Sequence, residues 1–189
     1  MFQKIVFTSV FVSSLIFPAF VSAHAVVKPS EAQTAQYQTF SISVPNEKKT
    51  PTTKVRLAIP DGVTSVMPTV KPGWNIALTY ENNDSSAKVL EVVWSGGMIP
   101  VGQRDEFSFS AKTPDQAKTI FWKIYQTYQD GVTVSWDKEG TDSDHATNAG
   151  PASKTLLMQS ASPTPQSTTA PYVEQSNGTS NIIIVGVGL

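Results

Sequence analysis

The chain has 189 residues and no cysteine, and its 14 Lys and Arg residues nearly balance its 15 Asp and Glu residues. This length indicates one domain with appendages rather than two full domains. The lack of cysteine excludes disulfide scaffolds, Cys-ligated zinc sites, iron–sulfur clusters, thiol catalysis and blue-copper centres. The charge balance argues against a nucleic-acid partner, which usually requires a basic patch. With two histidines, a His-based site has to use His24, His145 or both.

Residues 1–23 have the layout of a secretory signal peptide. Lys4 precedes an apolar run over residues 5–20, and Val21-Ser22-Ala23 forms a small-residue cleavage site. We therefore expect an exported, extracytoplasmic protein, in the periplasm or at the outer face of the cytoplasmic membrane. An uncleaved membrane anchor is the alternative interpretation. Cleavage at the predicted site makes His24 the first residue of the mature chain.

Residues 24–159 carry short runs that alternate apolar and polar side chains, the pattern of half-buried β-strands. The predicted strands are residues 37–44, 54–59, 74–80, 89–94, 106–110, 120–128, 132–136 and 155–158. Turn signals separate them, among them Gly96-Gly97 and Asp130-Gly131, the second of which favours a tight hairpin. We find no amphipathic helix, and residues 113–117 suit one helical turn at most. The pattern predicts an all-β fold, an antiparallel β-sandwich.

The composition changes after residue 159. Residues 160–180 are rich in Ser, Thr and Pro and are predicted to form an extended linker. Residues 181–189 form an apolar tail, which is short of the roughly 20 residues that span a bilayer. Such a tail is typical either of the start of a C-terminal membrane anchor or of a short adhesive end, and both interpretations stay open.

His24 is the strongest candidate metal ligand. As a first residue it offers a free α-amine and an imidazole Nδ1, two nitrogens already joined in one small chelate. Copper(II) favours nitrogen ligands and tolerates a tetragonal coordination geometry. An α-amine has a pKa of about 8, so it can release its proton to a metal at neutral pH. The alternative is a histidine that follows the cleavage site by chance.

The four tryptophans suggest different roles. Trp94 and Trp122 lie inside fully apolar strands and are predicted core residues. Trp74 follows a Pro-Gly turn and is expected at an edge of the sandwich. Trp136 lies on the strand after the predicted hairpin, where a core position is the commoner outcome and a place at a functional site is the alternative.

His145 lies in a polar, acidic segment and is a second candidate ligand. Asp137, Glu139, Asp142 and Asp144 surround it, which is usual for a solvated surface and also suits a carboxylate that completes a metal site. The chain contains no Gly-x-Ser-x-Gly elbow and no Gly-rich phosphate loop. No other motif points to catalysis.

Ordered blocks of sequence resemble the bacterial YcnI-like copper-binding domain family. The first block is His24-Ala25-Val26-Val27-Lys28-Pro29-Ser30-Glu31, directly after the signal peptide. The most specific is Trp122-Lys123-Ile124-Tyr125-Gln126-Thr127-Tyr128-Gln129-Asp130-Gly131, followed by Trp136. Further matches lie between them at residues 37–48, 51–55, 72–74, 94–103 and 107–112. Each block alone is weak, but together they cover most of residues 24–137 in order.

The resemblance implies a cupredoxin-like β-sandwich that binds one copper(II) ion at its N-terminus. The metal is expected in a single-histidine brace made by the amine and imidazole of His24, with Trp136 near the metal. The family implies a non-enzymatic module of copper uptake or homeostasis. Its expected partners are the copper ion and a membrane copper transporter or another copper-handling protein, with a C-terminal membrane tether.

One feature departs from the family pattern. The family's brace is completed by a carboxylate, and relatives often carry an acid beside the matching tryptophan, where Val134 and Ser135 stand here. The acids available in this chain are Glu31, Glu47, Asp137 and those of the segment 137–144.

Two other functions stay open. A copper-dependent polysaccharide monooxygenase also uses an N-terminal histidine but needs a second one, for which His145 is the candidate. A metal-free structural or adhesive β-sandwich on a Ser/Thr/Pro stalk would have no metal affinity.

Overall fold

The computed structural model describes residues 24–139 and 149–159, which form two packed β-sheets. The strands are β1 (Val26–Lys28), β2 (Glu31–Gln33), β3 (Tyr37–Pro45), β4 (Thr52–Ala58), β5 (Thr64–Pro68), β6 (Asn75–Tyr80), β7 (Val89–Ile99), β8 (Arg104–Lys112), β9 (Thr119–Tyr128), β10 (Thr133–Lys138), β11 (Ala149–Pro151) and β12 (Ser153–Met158). A 3₁₀ turn at Glu81–Asn83 follows β6. Among the described residues, no helix has the length and apolar character needed to cross a membrane.

The two sheets have different widths. The smaller sheet has the order β1-β3-β8-β5, and the larger one runs β11-β10-β9-β4-β7-β6. β12 joins the larger sheet through residues 119–122 of β9, and β2 pairs with β12. The predicted all-β sandwich is therefore confirmed.

The sheets are mixed rather than purely antiparallel. The pairs β10–β11 and β2–β12 are parallel, and every other strand pair described is antiparallel. A parallel pair cannot be closed by a tight hairpin, so these two edges depend on contacts distant in sequence. Local alternation of side chains does not reveal such pairs.

Inward-facing aromatic residues fill the core between the sheets. Phe40, Phe109 and Trp122 are fully buried, and their ring centroids lie 4.9–5.5 Å apart. The Trp122 Nε1–H donates to the Thr155 hydroxyl at 3.0 Å, and that hydroxyl donates to the Pro29 carbonyl at 2.9 Å. This chain of hydrogen bonds ties β9 and β12 to the residue that follows β1.

The tryptophan predictions fit this core. Trp94 is fully buried, as is Trp122. Trp74 is only partly buried and packs edge-on against Phe107, with ring centroids 4.9 Å apart. It lies just before the edge strand β6, as expected for a residue at the margin of the sandwich.

The eight predicted strands all occur, with shifted ends, and the Asp130-Gly131 hairpin is present. Its Gly131 N–H donates to the Tyr128 carbonyl at 3.0 Å, with Gly131 at a φ of +83°. The predicted turn at Gly96-Gly97 is wrong, because β7 runs through it. These glycines instead allow a close approach: a Cβ on Gly97 would lie 2.3 Å from the Trp74 indole.

Other local predictions differ or fall outside the described residues. Residues 113–117 contain bends and no helical turn. Four strands of three to five residues, β1, β2, β5 and β11, were not predicted, because they are too short to show a clear alternation. The signal peptide at 1–23, the linker at 160–180 and the apolar tail at 181–189 lie outside the described residues.

Candidate metal site

His24 and Trp136 come together at the seam between the two sheets. His24 precedes β1 of the smaller sheet, and Trp136 lies on β10 of the larger sheet. Their ring centroids are 5.0 Å apart, with the ring planes at 63° in a T-shaped arrangement. Trp136 is buried and His24 is half-buried. The two residues singled out from the sequence are thus in contact, although 112 positions separate them (136 minus 24).

The edge strand β11 forms the third side of this contact. Gly150 is the register partner of Trp136 in the parallel β10–β11 pair. A Cβ built on Gly150 would lie 2.3 Å from Cε3 and 2.5 Å from Cζ3 of the Trp136 indole, and 3.5 Å from Cδ2 of His24. The indole therefore occupies the space that a side chain at position 150 would take.

These distances define how the imidazole ring is turned. Its Cδ2 atom faces Gly150, and the neighbouring Nε2 is buried with no hydrogen-bond partner among the described residues. Nδ1 lies across the ring from Cδ2 and Nε2, on the edge turned away from β11. Because Nε2 is buried, Nδ1 is the ring nitrogen that remains for an ion. The Trp136 Nε1 is likewise buried without a partner.

His24 borders two depressions of about 460 Å³ each. One crosses the smaller sheet over β3, with Ser41, Ser43 and Pro45 below it and side chains of β1 and β8 along it. The other lies between β1 and residues 151–154. In both, the histidine is beside open space, so a small ion has two routes to it.

Charged side chains line the first depression. Lys28 extends from β1, and Arg104 and Glu106 extend from β8, where they form an ion pair at 3.2 Å. Glu106 is the carboxylate that shares a depression with His24 in the described part of the chain. It was not among the acids selected from the sequence, and only the β1–β3–β8 register brings it to this face.

The structure does not bring the predicted acids to His24 where it describes them. Asp137 follows Trp136 at an irregularity in the β10–β11 register, and it lines neither depression that His24 borders. Glu139 forms an ion pair with Lys123 at 2.9 Å, and this hydrogen bond and charge raise the pKa of Lys123. Glu31 is exposed on β2. Glu47 lies near Tyr128, where burial first and the Glu47 charge second raise the pKa of Tyr128 to about 12.

A third ligand is therefore not assigned by the described residues. Within 24–139 and 149–159, no three His, Cys, Asp or Glu side chains are grouped so as to hold a metal ion. His145, Asp142 and Asp144 lie outside the described residues. The metal donor that the described residues offer at this seam is the imidazole of His24.

Comparisons with known proteins place the chain in a family. Residues 24–157 match the family described as "Domain of unknown function (DUF1775)". The copper-binding protein CutI of Bacillus subtilis (strain 168) is 40% identical over 135 residues, 71% of this chain and 65% of CutI. The match thus spans slightly less than two thirds of that relative's length.

A solved structure supports the fold. An uncharacterized protein from Nocardia farcinica, described as having an immunoglobulin-like fold, aligns with a TM-score of 0.59 at 23% identity. The alignment covers 71% of this chain and 97% of the other. An immunoglobulin-like fold is a β-sandwich, in agreement with the two packed sheets. The chain belongs to the DUF1775 family, and the YcnI-like family predicted from the sequence is confirmed.

Proposed function

We propose that this protein is an extracytoplasmic copper(II)-binding module that holds the ion in an N-terminal single-histidine brace. The observation that carries the proposal is the orientation of His24. Its Nε2 is buried at the sheet seam, which leaves Nδ1 for the metal. Nδ1 is also the ring nitrogen that can close a small chelate with the α-amine of the same residue. The relative CutI, which is named a copper-binding protein, supports copper as the ion.

The donor set suits copper(II) chemically. An amine and a neutral imidazole are borderline nitrogen ligands, and copper(II) outcompetes the other divalent first-row metals at such sites. In our proposal, cleavage between Ala23 and His24 frees the α-amine, so that His24 supplies both the amine and the imidazole nitrogen. Trp136 covers one side of the imidazole. We propose that water or an acid near residue 137 or 144 fills the remaining positions.

The surroundings of His24 suit an ion that is taken up and passed on. A half-buried ring between two open depressions leaves room for a partner to approach the metal. We propose a role in copper uptake or homeostasis, with a membrane copper transporter or another copper-handling protein as the recipient. Binding is favoured over catalysis because the relative CutI is named a copper-binding protein, and because the ring in contact with His24 among the described residues is the Trp136 indole.

The proposal is tested by electron paramagnetic resonance of the mature chain, beginning at His24, titrated with copper(II). We expect one equivalent to bind with hyperfine structure from two nitrogens. The His145→Ala variant is the matched control, because it removes the other histidine and should give the same spectrum. A spectrum without nitrogen coupling, or one that changes in His145→Ala and not in His24→Ala, would contradict the proposal.

A further inference from the structure

We propose that Gly150 is a positioning residue for the copper site: its lack of a side chain lets the Trp136 indole lie against the His24 imidazole. This inference rests on the proposed function, since it concerns how that site is held. Gly150 has no donor atom beyond its backbone, and its effect on the metal passes through the two rings. The residue lies on β11, an edge strand that the sequence did not reveal.

Gly150 is required for space rather than for backbone freedom. The glycines with positive φ are Gly62, Gly73, Gly96, Gly102 and Gly131, and Gly150 is not among them. Any L-residue therefore adopts its backbone conformation without strain. The obstacle is steric, because a Cβ would lie 2.3 Å from the indole, well inside the normal carbon–carbon contact of about 3.5–4.0 Å.

The indole cannot yield to a Cβ at position 150 without changing its contact with His24. The indole contacts both Gly150 of β11 and the imidazole, whose centroid is 5.0 Å from its own. The same Cβ would lie 3.5 Å from His24 Cδ2, so it would also limit how the imidazole could follow. A displaced indole no longer fixes the ring that carries Nδ1. Residues that orient a ligand in this way typically affect metal affinity by about 10–100-fold.

The chain contains a matched control for the steric effect alone. Gly97 on β7 also has no positive φ, and a Cβ there would lie 2.3 Å from the Trp74 indole. Trp74 packs on Phe107, on β8 of the smaller sheet, and has no ring contact with His24 among the described residues. Gly97→Ala and Gly150→Ala therefore impose the same kind of clash on a tryptophan, and only one of these tryptophans touches the candidate ligand.

The test compares these two variants with the wild-type mature chain. We expect Gly150→Ala to raise the Kd for copper(II) about tenfold, to alter the nitrogen hyperfine pattern and to reduce the quenching of tryptophan fluorescence by bound copper. Both substitutions should lower the urea midpoint, because each places a Cβ against an indole. Gly97→Ala should nevertheless keep the copper Kd and the spectrum of the wild type. If Gly150→Ala folds and keeps the wild-type Kd and spectrum, or if Gly97→Ala changes them equally, the inference is wrong.

A double-mutant cycle covers the case in which Gly150→Ala fails to fold. Trp136→Leu removes the Cε3 and Cζ3 atoms that the new Cβ would meet. Adding Gly150→Ala to Trp136→Leu should therefore lower the urea midpoint much less than adding it to the wild type. Equal losses in both backgrounds would overturn the inference without reference to copper. A wild-type chain that binds no copper would instead overturn the proposed function itself.

Discussion

Replacing His24 by alanine is expected to weaken copper(II) binding by more than about 100-fold and to leave the β-sandwich folded. The substitution removes one of two nitrogens of a chelate, a larger loss than the roughly 10–100-fold caused by outer-shell changes. The structural cost is small, because His24 is half-buried and precedes β1 rather than pairing within it. Its ring contact with Trp136 is worth about 1 kcal/mol.

A competition titration against a copper chelator measures this effect, and circular dichroism with urea unfolding monitors the fold. Lys28→Ala is the matched control. Lys28 lines the same depression as His24, but it has no aromatic ring and so cannot replace the ring contact between His24 and Trp136. We expect Lys28→Ala to bind copper like the wild type. Equal affinities for His24→Ala and the wild type would exclude His24 as a ligand.

Trp122→Ala is expected to have the largest effect on stability, lowering the free energy of unfolding by about 3–5 kcal/mol. Trp122 is fully buried and contacts both Phe40 and Phe109. Its removal leaves a large cavity between the sheets and also leaves the Thr155 hydroxyl without the Nε1–H donor. The residue following β1 would lose part of its attachment to the core, because that hydroxyl also donates to the Pro29 carbonyl.

Urea unfolding of Trp122→Ala beside Trp74→Ala tests this prediction. Trp74 is only partly buried, so its truncation should cost clearly less than that of Trp122. Loss of stability that is equal for the two variants would contradict the packing account of the core. Copper affinity measured under conditions in which Trp122→Ala is folded should stay near that of the wild type, since Trp122 has no ring contact with His24 among the described residues.

The long strands could be predicted from the sequence, whereas the short strands at the sheet edges could not. β3 and β9 carry nine and ten residues, enough alternation to identify a half-buried strand. β1, β2 and β11 have three residues each. β2 pairs in parallel with β12, which is remote in sequence, and β11 pairs in parallel with β10, the strand before it. Their existence depends on the packed sheets rather than on local pattern.

The residues of the candidate site also differ in whether the sequence could identify them. His24 could be selected from its place after a cleavage motif, whereas the importance of Trp136 came from the family resemblance. Gly150 gave no signal, because its role depends on its register with Trp136 across two strands.

The N-terminal brace is tested most directly by titrating copper(II) into two chains that differ by one residue at the N-terminus. One begins at His24 and the other retains Ala23, which leaves the imidazole in place but converts the α-amine of His24 into an amide. We expect the first chain to bind one copper(II) through amine and imidazole nitrogens and the extended chain to lose this tight binding. Equal binding by the two chains would contradict the brace, because the α-amine would then have no part in holding the ion.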